Sequence, residues 1–277
     1  MKPRNARTAV LGVACAVACA FVLAGCATTT SSTGRTQYVG AVSQDQLNQL
    51  GIQAFNQEKG QKPLSQDARQ NAYVRCVVDS IVRELSPQWR QTGWESAVFV
   101  DKTPNAFALP GGKVGVYTGI FDVAKSQGQL AAVVGHEIGH VVERHHDERI
   151  TRQYGAQAAL SVASLLAGSR YGDGVAQGVS QGGGLLLQTT FLLPGTREQE
   201  NEADVVGQRL MAQAGYDPHQ AIELWQNMLA SNGSRPPQWL STHPDPKSRI
   251  GEMRKRADSL MPVYEQARAS GRKPSCG

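Results

Sequence analysis

Residues 133–146 read VVGHEIGHVVERHH and hold four of the chain's six histidines. Apolar Val133, Val134, Ile138, Val141 and Val142 surround them, so the stretch reads as part of one helix running from Gln127 to about Tyr154. On such a helix His136 and His140, four residues apart, project from one face, one turn from each other. Two imidazoles so placed can both reach a single Zn²⁺ at ~2.0–2.1 Å per nitrogen. Glu137 lies one step round the helix, beside the ion and not on it, where a carboxylate can take a proton from water as general base. Gly139 costs a helix ~1 kcal/mol relative to alanine, which makes sense where a second backbone comes close. His145 and His146 fall past the metal-facing turn and read as solvated cations near a helix C-terminus.

A zinc hydrolase takes three protein ligands and leaves one position open. The stretch TREQENEAD (196–204) offers the third. Glu200 and Asp204 are four apart and share a helix face with Gly207 and Met211, whereas Glu198 and Glu202 share a stripe with Arg209 that reads as solvated surface. Spacing therefore favours Glu200 as ligand and Asp204 as the carboxylate that accepts the other N–H of a ligating histidine.

Around this pair the chain reads as α+β and mainly helical. Val74, Val78, Ile81 and Leu85 repeat at helical spacing, with Ser65 as expected N-cap and Pro87 as stop. SAVFVD, NAFALP and KVGVYTG are short β-rich runs separated by turn residues, the pattern of a small three-stranded meander. Residues 155–188, rich in Ala, Gly, Ser and Gln, read as a buried or partner-facing helical hairpin with a mobile glycine loop. Further helices follow, one ended by Gly215 and two opened by Asp217-Pro218 and Asp245-Pro246.

The chain's start has its own logic. Lys2, Arg4 and Arg7 precede the apolar run AVLGVACAVACAFVLAG, the order of a secretory signal, and LAGC (23–26) looks like the lipobox of bacterial lipoproteins, in which cleavage leaves a lipidated cysteine. Ala27 rather than Asp after Cys26 makes the site resemble an outer-membrane lipoprotein's. The expected organisation is a signal peptide over 1–25, lipidated Cys26 and a flexible tether over 26–41, and a single domain over 42–277. Once Cys15, Cys19 and Cys26 are accounted for, Cys76 and Cys276 remain, and an oxidising periplasm would allow them to pair. Three of the 28 basic residues leave with the signal, so the rest nearly balance the 23 acidic ones. No nucleic-acid surface is expected.

HEIGH followed some sixty residues later by TREQENEAD, with NAFALPGGKVGVYTGI ahead of both and STHPDPKSRI behind, resembles the gluzincin metallopeptidase family of the CAAX prenyl proteases, HtpX and the mitochondrial Oma peptidases. The lipobox adds a likeness to its periplasmic lipoprotein (LoiP-like) branch. The resemblance implies a zincin-like domain, one Zn²⁺, Glu200 as third ligand and Glu137 as catalytic base. It also implies that the region of His243 reaches the active site, either to stabilise an oxyanion or to cap the zinc at rest, and that Arg197 and Arg249 form ion pairs near the cleft. Asn105, Ala106, Phe107 and Ala108 would lie on an edge strand able to hold an extended polypeptide substrate by strand addition. The expected protein is a lipid-anchored periplasmic zinc endopeptidase acting on misfolded or envelope proteins. A chaperone-like binding lipoprotein with a capped or structural zinc site is the alternative.

Overall fold

The computed structural model describes residues 27–171, 195–231, 243 and 246–277, with backbone alone at 159–171, 246 and 247. The expected signal peptide and lipidation at Cys26, and the glycine loop beyond residue 171, lie outside these residues.

Strands β1 (Ala27–Thr30) and β2 (Thr36–Val39) pair as an antiparallel hairpin. Helices α1 (Gln44–Gln61) and α2 (Ala68–Val82) follow, then the short α3 (Pro87–Arg90). β3 (Glu95–Phe99), β4 (Ala106–Leu109) and β5 (Lys113–Tyr117) build the second sheet. A 3₁₀ turn (Thr118–Asp122) leads into α4 (Gln127–Val142) and α5 (His145–Tyr171). α6 (Arg197–Gln213), α7 (Gln220–Ala230) and α8 (Pro246–Ala269) complete the described fold. It is mainly helical with small sheets, as expected. No helix among the described residues is long and apolar enough to cross a membrane.

The sheet is not a meander. Its order is β3-β5-β4, with β3 parallel and β4 antiparallel to β5. Local pattern identified the strands, but which neighbour each one chose depends on packing. β3 leaves the centre to β5, whose buried Val114 and Val116 join the core beside α2 and α4. β4 is thereby placed at an edge.

Three further expectations are corrected. The helix predicted from 127 to 154 breaks at Arg144, whose φ of 55° is a left-handed conformation that ends α4; α5 starts afresh at His145. The tether predicted over 26–41 is instead ordered onto the domain from Ala27 as the β1–β2 hairpin. Small polar residues suggested flexibility, but hydrogen bonds to partners more than a hundred residues away hold them. At α2 the N-cap is Asp67, accepting from the backbone N–H of Arg69 and Gln70, in place of Ser65.

α4 is almost wholly buried. α6 crosses it where small residues let backbones approach: a Cβ on Gly139 would meet the Ala203 carbonyl oxygen at 2.8 Å, and one on Gly207 would meet Gly135 C and His136 N at 2.9 Å. This crossing brings residue 200 to the face of His136 and His140.

Cys76 on α2 and Cys276 near the C-terminus form a disulfide closing 200 residues of chain. The chain-entropy model assigns such a loop about 5 kcal/mol. Cys276→Ser should therefore lower the urea-unfolding free energy by up to that amount, and an unchanged unfolding midpoint would show that the bond adds no constraint.

Candidate metal centre

His136 and His140 turn their Nε2 atoms toward each other at 3.1 Å. Glu200 reaches them from α6, Oε2 lying 3.4 Å from His136 Nε2 and Oε1 3.5 Å from His140 Nε2. α6 is started by Thr196, whose side chain accepts from the Gln199 N–H while the Gln199 side chain returns to the Thr196 N–H. Such a cap is worth ~1 kcal/mol and fixes where the first helical turn, and with it Glu200, begins. His243 completes a group of four: its Nδ1 lies 2.8 Å from Glu200 Oε2 and 3.1 Å from His136 Nε2. One donor atom from each of the four falls within 4.8 Å of the others, and all four residues are buried.

The donor chemistry can be tested from the far side of each ring. His136 Nδ1 faces Asp204 Oδ1 at 2.9 Å. A carboxylate only accepts, so in the neutral ring, the form that can bind a metal, the proton sits on Nδ1 and the Nε2 lone pair points into the cluster. His140 Nδ1 faces His145 Nδ1 at 2.8 Å, and His145 Nε2 faces Glu202 Oε2 at 2.9 Å. The same reasoning runs inward from Glu202: His145 donates from Nε2 and accepts on Nδ1, so His140 donates from Nδ1 and its Nε2 is also a lone pair. Two lone pairs then converge on Glu200, whose buried Oε1 has no hydrogen-bond partner among the described residues. Electron pairs aimed at one point with a carboxylate oxygen unsatisfied beside them fit a divalent cation. Nitrogen and carboxylate donors of this kind suit zinc.

Charge around the cluster is balanced by Arg249, which was expected in an ion pair near the cleft. Its Nε and Nη2 both donate to Asp204 at 2.7 Å, and its Nη1 donates to Glu200 Oε2 at 2.9 Å. The guanidinium stacks 4.2 Å from the centre of the Trp225 ring. Burial pushes the Asp204 carboxyl up, but the Arg249 charge and the hydrogen bonds from Arg249 and His136 together outweigh it and hold the group below the usual range. At Glu200 burial is likewise outweighed, chiefly by the charge on His243, and the carboxyl stays well below the usual range. Burial alone would push His243 down, yet the charges of Glu200 and Glu137 raise it to about 9.

Glu137 stands beside the cluster, 5% exposed, with Oε1 3.2 Å from His243 Nε2. Two surface readings fail. His145 and His146 are 0% and 4% exposed, and Glu202 is 0% exposed. Helical spacing placed Glu202 on a solvated stripe because it could not show that the hairpin covers that face of α6. A polar residue that binds through partners far along the chain leaves no local signal.

The edge strand is more selective than the four residues 105–108 suggested. Tyr117 N donates to the Asn105 carbonyl, so alternate pairs down β4 and β5 spend their polar groups on each other. Asn105 and Phe107 therefore face β5, while the backbone groups of Ala106 and Ala108 point to the outer edge. Phe107 also lies over Gly115 and packs with Phe55, Phe99 and Tyr117, on the face away from α4. Its side chain is committed to that aromatic cluster. Ala106 and Ala108 are only 3% and 2% exposed, so a polypeptide reaches that edge only if what covers it moves.

Residues 68–257 match the sequence model of Peptidase family M48. The chain is 42% identical over 161 residues to the mitochondrial metalloendopeptidase OMA1 of Schizosaccharomyces pombe, covering 57% of this chain and 44% of that protein. It is 29% identical over 249 residues to the beta-barrel assembly-enhancing protease of Escherichia coli (strain K12), covering 86% and 48%. A putative beta-barrel assembly-enhancing protease of Vibrio cholerae is 32% identical over 213 residues, covering 74% and 43%. The chain thus spans under half the length of each of these relatives.

Proposed function

The chain belongs to peptidase family M48, and from that premise we propose that it is a zinc metalloendopeptidase of the bacterial cell envelope, cleaving misfolded or envelope proteins and held to the membrane by lipid on Cys26. The observation that carries this reading is the convergence of the His136 and His140 lone pairs on a Glu200 oxygen left without a hydrogen bond among the described residues, with Glu137 adjacent. The names of the bacterial relatives, beta-barrel assembly-enhancing proteases, support an envelope location and a protein substrate.

His136, His140 and Glu200 would hold the zinc, and the chemistry it would supply is Lewis acidity toward water and a carbonyl oxygen. The protein's part is positional. Glu137 Oε1 takes the proton from the attacking water and delivers it to the departing amine nitrogen. Asp204 and Arg249 hold His136 and Glu200 in their orientations. Once what covers that edge moves, Ala106 and Ala108 offer outward backbone groups to an extended polypeptide, which pairs as an added strand.

His243 occupies the place where a substrate group would approach, and its contact with Glu137 ties up the base. This favours a capped resting arrangement over oxyanion stabilisation in this conformation, and substrate entry requires the ring to move. The same contact is what favours the alternative, a chaperone-like protein whose zinc is permanently capped.

Incubating the purified chain with a reduced, carboxymethylated unfolded protein separates the two. New peptide termini should appear by mass spectrometry, vanish when zinc is removed by a chelator and return when zinc is restored. A zinc-loaded chain that binds the unfolded protein and creates no new termini would establish the binding reading instead.

A further inference from the structure

The β1–β2 hairpin lies outside residues 68–257, the part matched by the family, yet it is anchored directly behind the metal centre. Its turn is set by Gly34 at φ 85°, with Gly34 N donating to the Ser31 carbonyl. β1 is largely exposed, so apolar burial of that strand does not hold the hairpin in place. Polar contacts do. Ser32 N donates to Glu143 Oε2 at 2.9 Å, Gln37 Nε2 to the Glu143 carbonyl at 2.8 Å, and Gly40 N to Asp147 Oδ1 at 2.9 Å. These targets lie in the turn that separates α4 from α5 and in the first turn of α5.

At the centre is Arg35. Its Nε and Nη2 each donate at 2.8 Å to the two oxygens of Glu202, and its Nη1 and Nη2 donate at 2.7 and 2.9 Å to the two oxygens of Glu148. Both carboxylate side chains are 0% exposed. Thr33 Oγ1 adds a further bond to Glu202 Oε1 at 2.9 Å. With both oxygens held, the Glu202 carboxylate cannot rotate, and Oε2 stays at His145 Nε2, 2.9 Å away. His145, also 0% exposed, is thereby fixed with Nδ1 against His140 Nδ1.

Glu143, His145 and Glu202 also bring donor atoms within 4.8 Å of one another, as a second cation site would. The guanidinium already bonds both Glu202 oxygens, however, and Glu143 Oε2 already accepts from Ser32. Arg35 supplies the positive charge that a second ion would.

We propose that Arg35 is a positioning residue for the metal centre, locking Glu202 and through it His145, so that His140 presents its Nε2 to the metal. This rests on the reading of His140 as a ligand. Partners of ligating histidines are typically worth 10–100-fold in metal affinity, and a guanidinium fork holds both carboxylate oxygens where an ammonium holds a point.

The test uses the full chain and reads metal directly, without proteolysis. Zinc affinity is measured by competition with a chromophoric chelator, and the ligand field by the visible absorption of the Co²⁺-substituted protein. Arg35→Met should weaken zinc binding about 10–100-fold and shift the Co²⁺ bands. Arg35→Lys should keep the charge and the unfolding midpoint of the metal-free protein without recovering the wild-type affinity or spectrum. Should Arg35→Met fail to fold, Glu202→Gln, which mismatches an amide N–H₂ with the Arg35 donors, should show the same loss. Wild-type affinity together with an unchanged Co²⁺ spectrum in either folded variant would overturn the proposal, as would two zinc ions per wild-type chain. A wild-type chain that binds no zinc at all would remove the metal reading itself, a distinguishable failure.

Discussion

Glu137→Gln is expected to slow peptide-bond cleavage about 10²–10⁴-fold, the usual contribution of a positioned general base, while zinc stays bound. That loss corresponds to about 3–5 kcal/mol on the barrier. The expectation follows from position. Glu137 sits on α4 between the two histidines, yet its oxygen is not among the four converging donors. Its observed contact is to His243 Nε2 at 3.2 Å, on the far side of that ring from the Nδ1 that joins the cluster. A glutamine of the same shape fills the space and still meets His243, but it cannot accept a proton. Metal content and turnover should therefore separate: stoichiometric zinc by elemental analysis, and turnover on an unfolded protein reduced by orders of magnitude. A zinc-loaded Glu137→Gln chain that cleaves at the wild-type rate would remove Glu137 from the chemistry.

Glu200→Ala should act on the opposite quantity. It removes a donor to the ion, so zinc affinity should fall by more than the ~100-fold at the upper end for residues that merely orient a ligand. The competing effect is destabilisation of the fold. Stranding a buried charge typically costs 3–5 kcal/mol, and Glu200 is a partner of buried Arg249. Arg249 is not stranded, because its two bonds to Asp204 at 2.7 Å remain and its stacking on Trp225 is untouched. Loss of metal should thus dominate loss of stability, and the metal-free variant should unfold in a transition close to that of the metal-free wild type. Chelator competition decides it: a Glu200→Ala chain holding zinc with wild-type affinity would show that the third donor is some other residue.

Periodicity along single helices was sufficient for much of this. His136 and His140 at a spacing of four, Glu200 and Asp204 at a spacing of four, and the small Gly139 are each statements about one helix face, and a face is set by 3.6 residues per turn whatever the rest of the chain does. The resemblance of the motifs to a metallopeptidase family then joined the two helices before any contact was visible. Only the tertiary structure decided what lies behind those faces. Glu202 and His145 read as solvated because nothing within a few residues covers them, and it is Arg35, 167 residues from Glu202 along the chain, that buries and neutralises the carboxylate. β5 came between β3 and β4 for a similar reason, since strand-like runs are legible locally whereas the choice of hydrogen-bonding neighbour is settled by which face the helices cover. The hairpin at 27–39 looked like a tether because small polar residues have little apolar surface to bury. Apart from buried Val39, its order comes from charge and hydrogen bonds made across more than a hundred residues, and interactions at that range leave no periodic trace in a sequence.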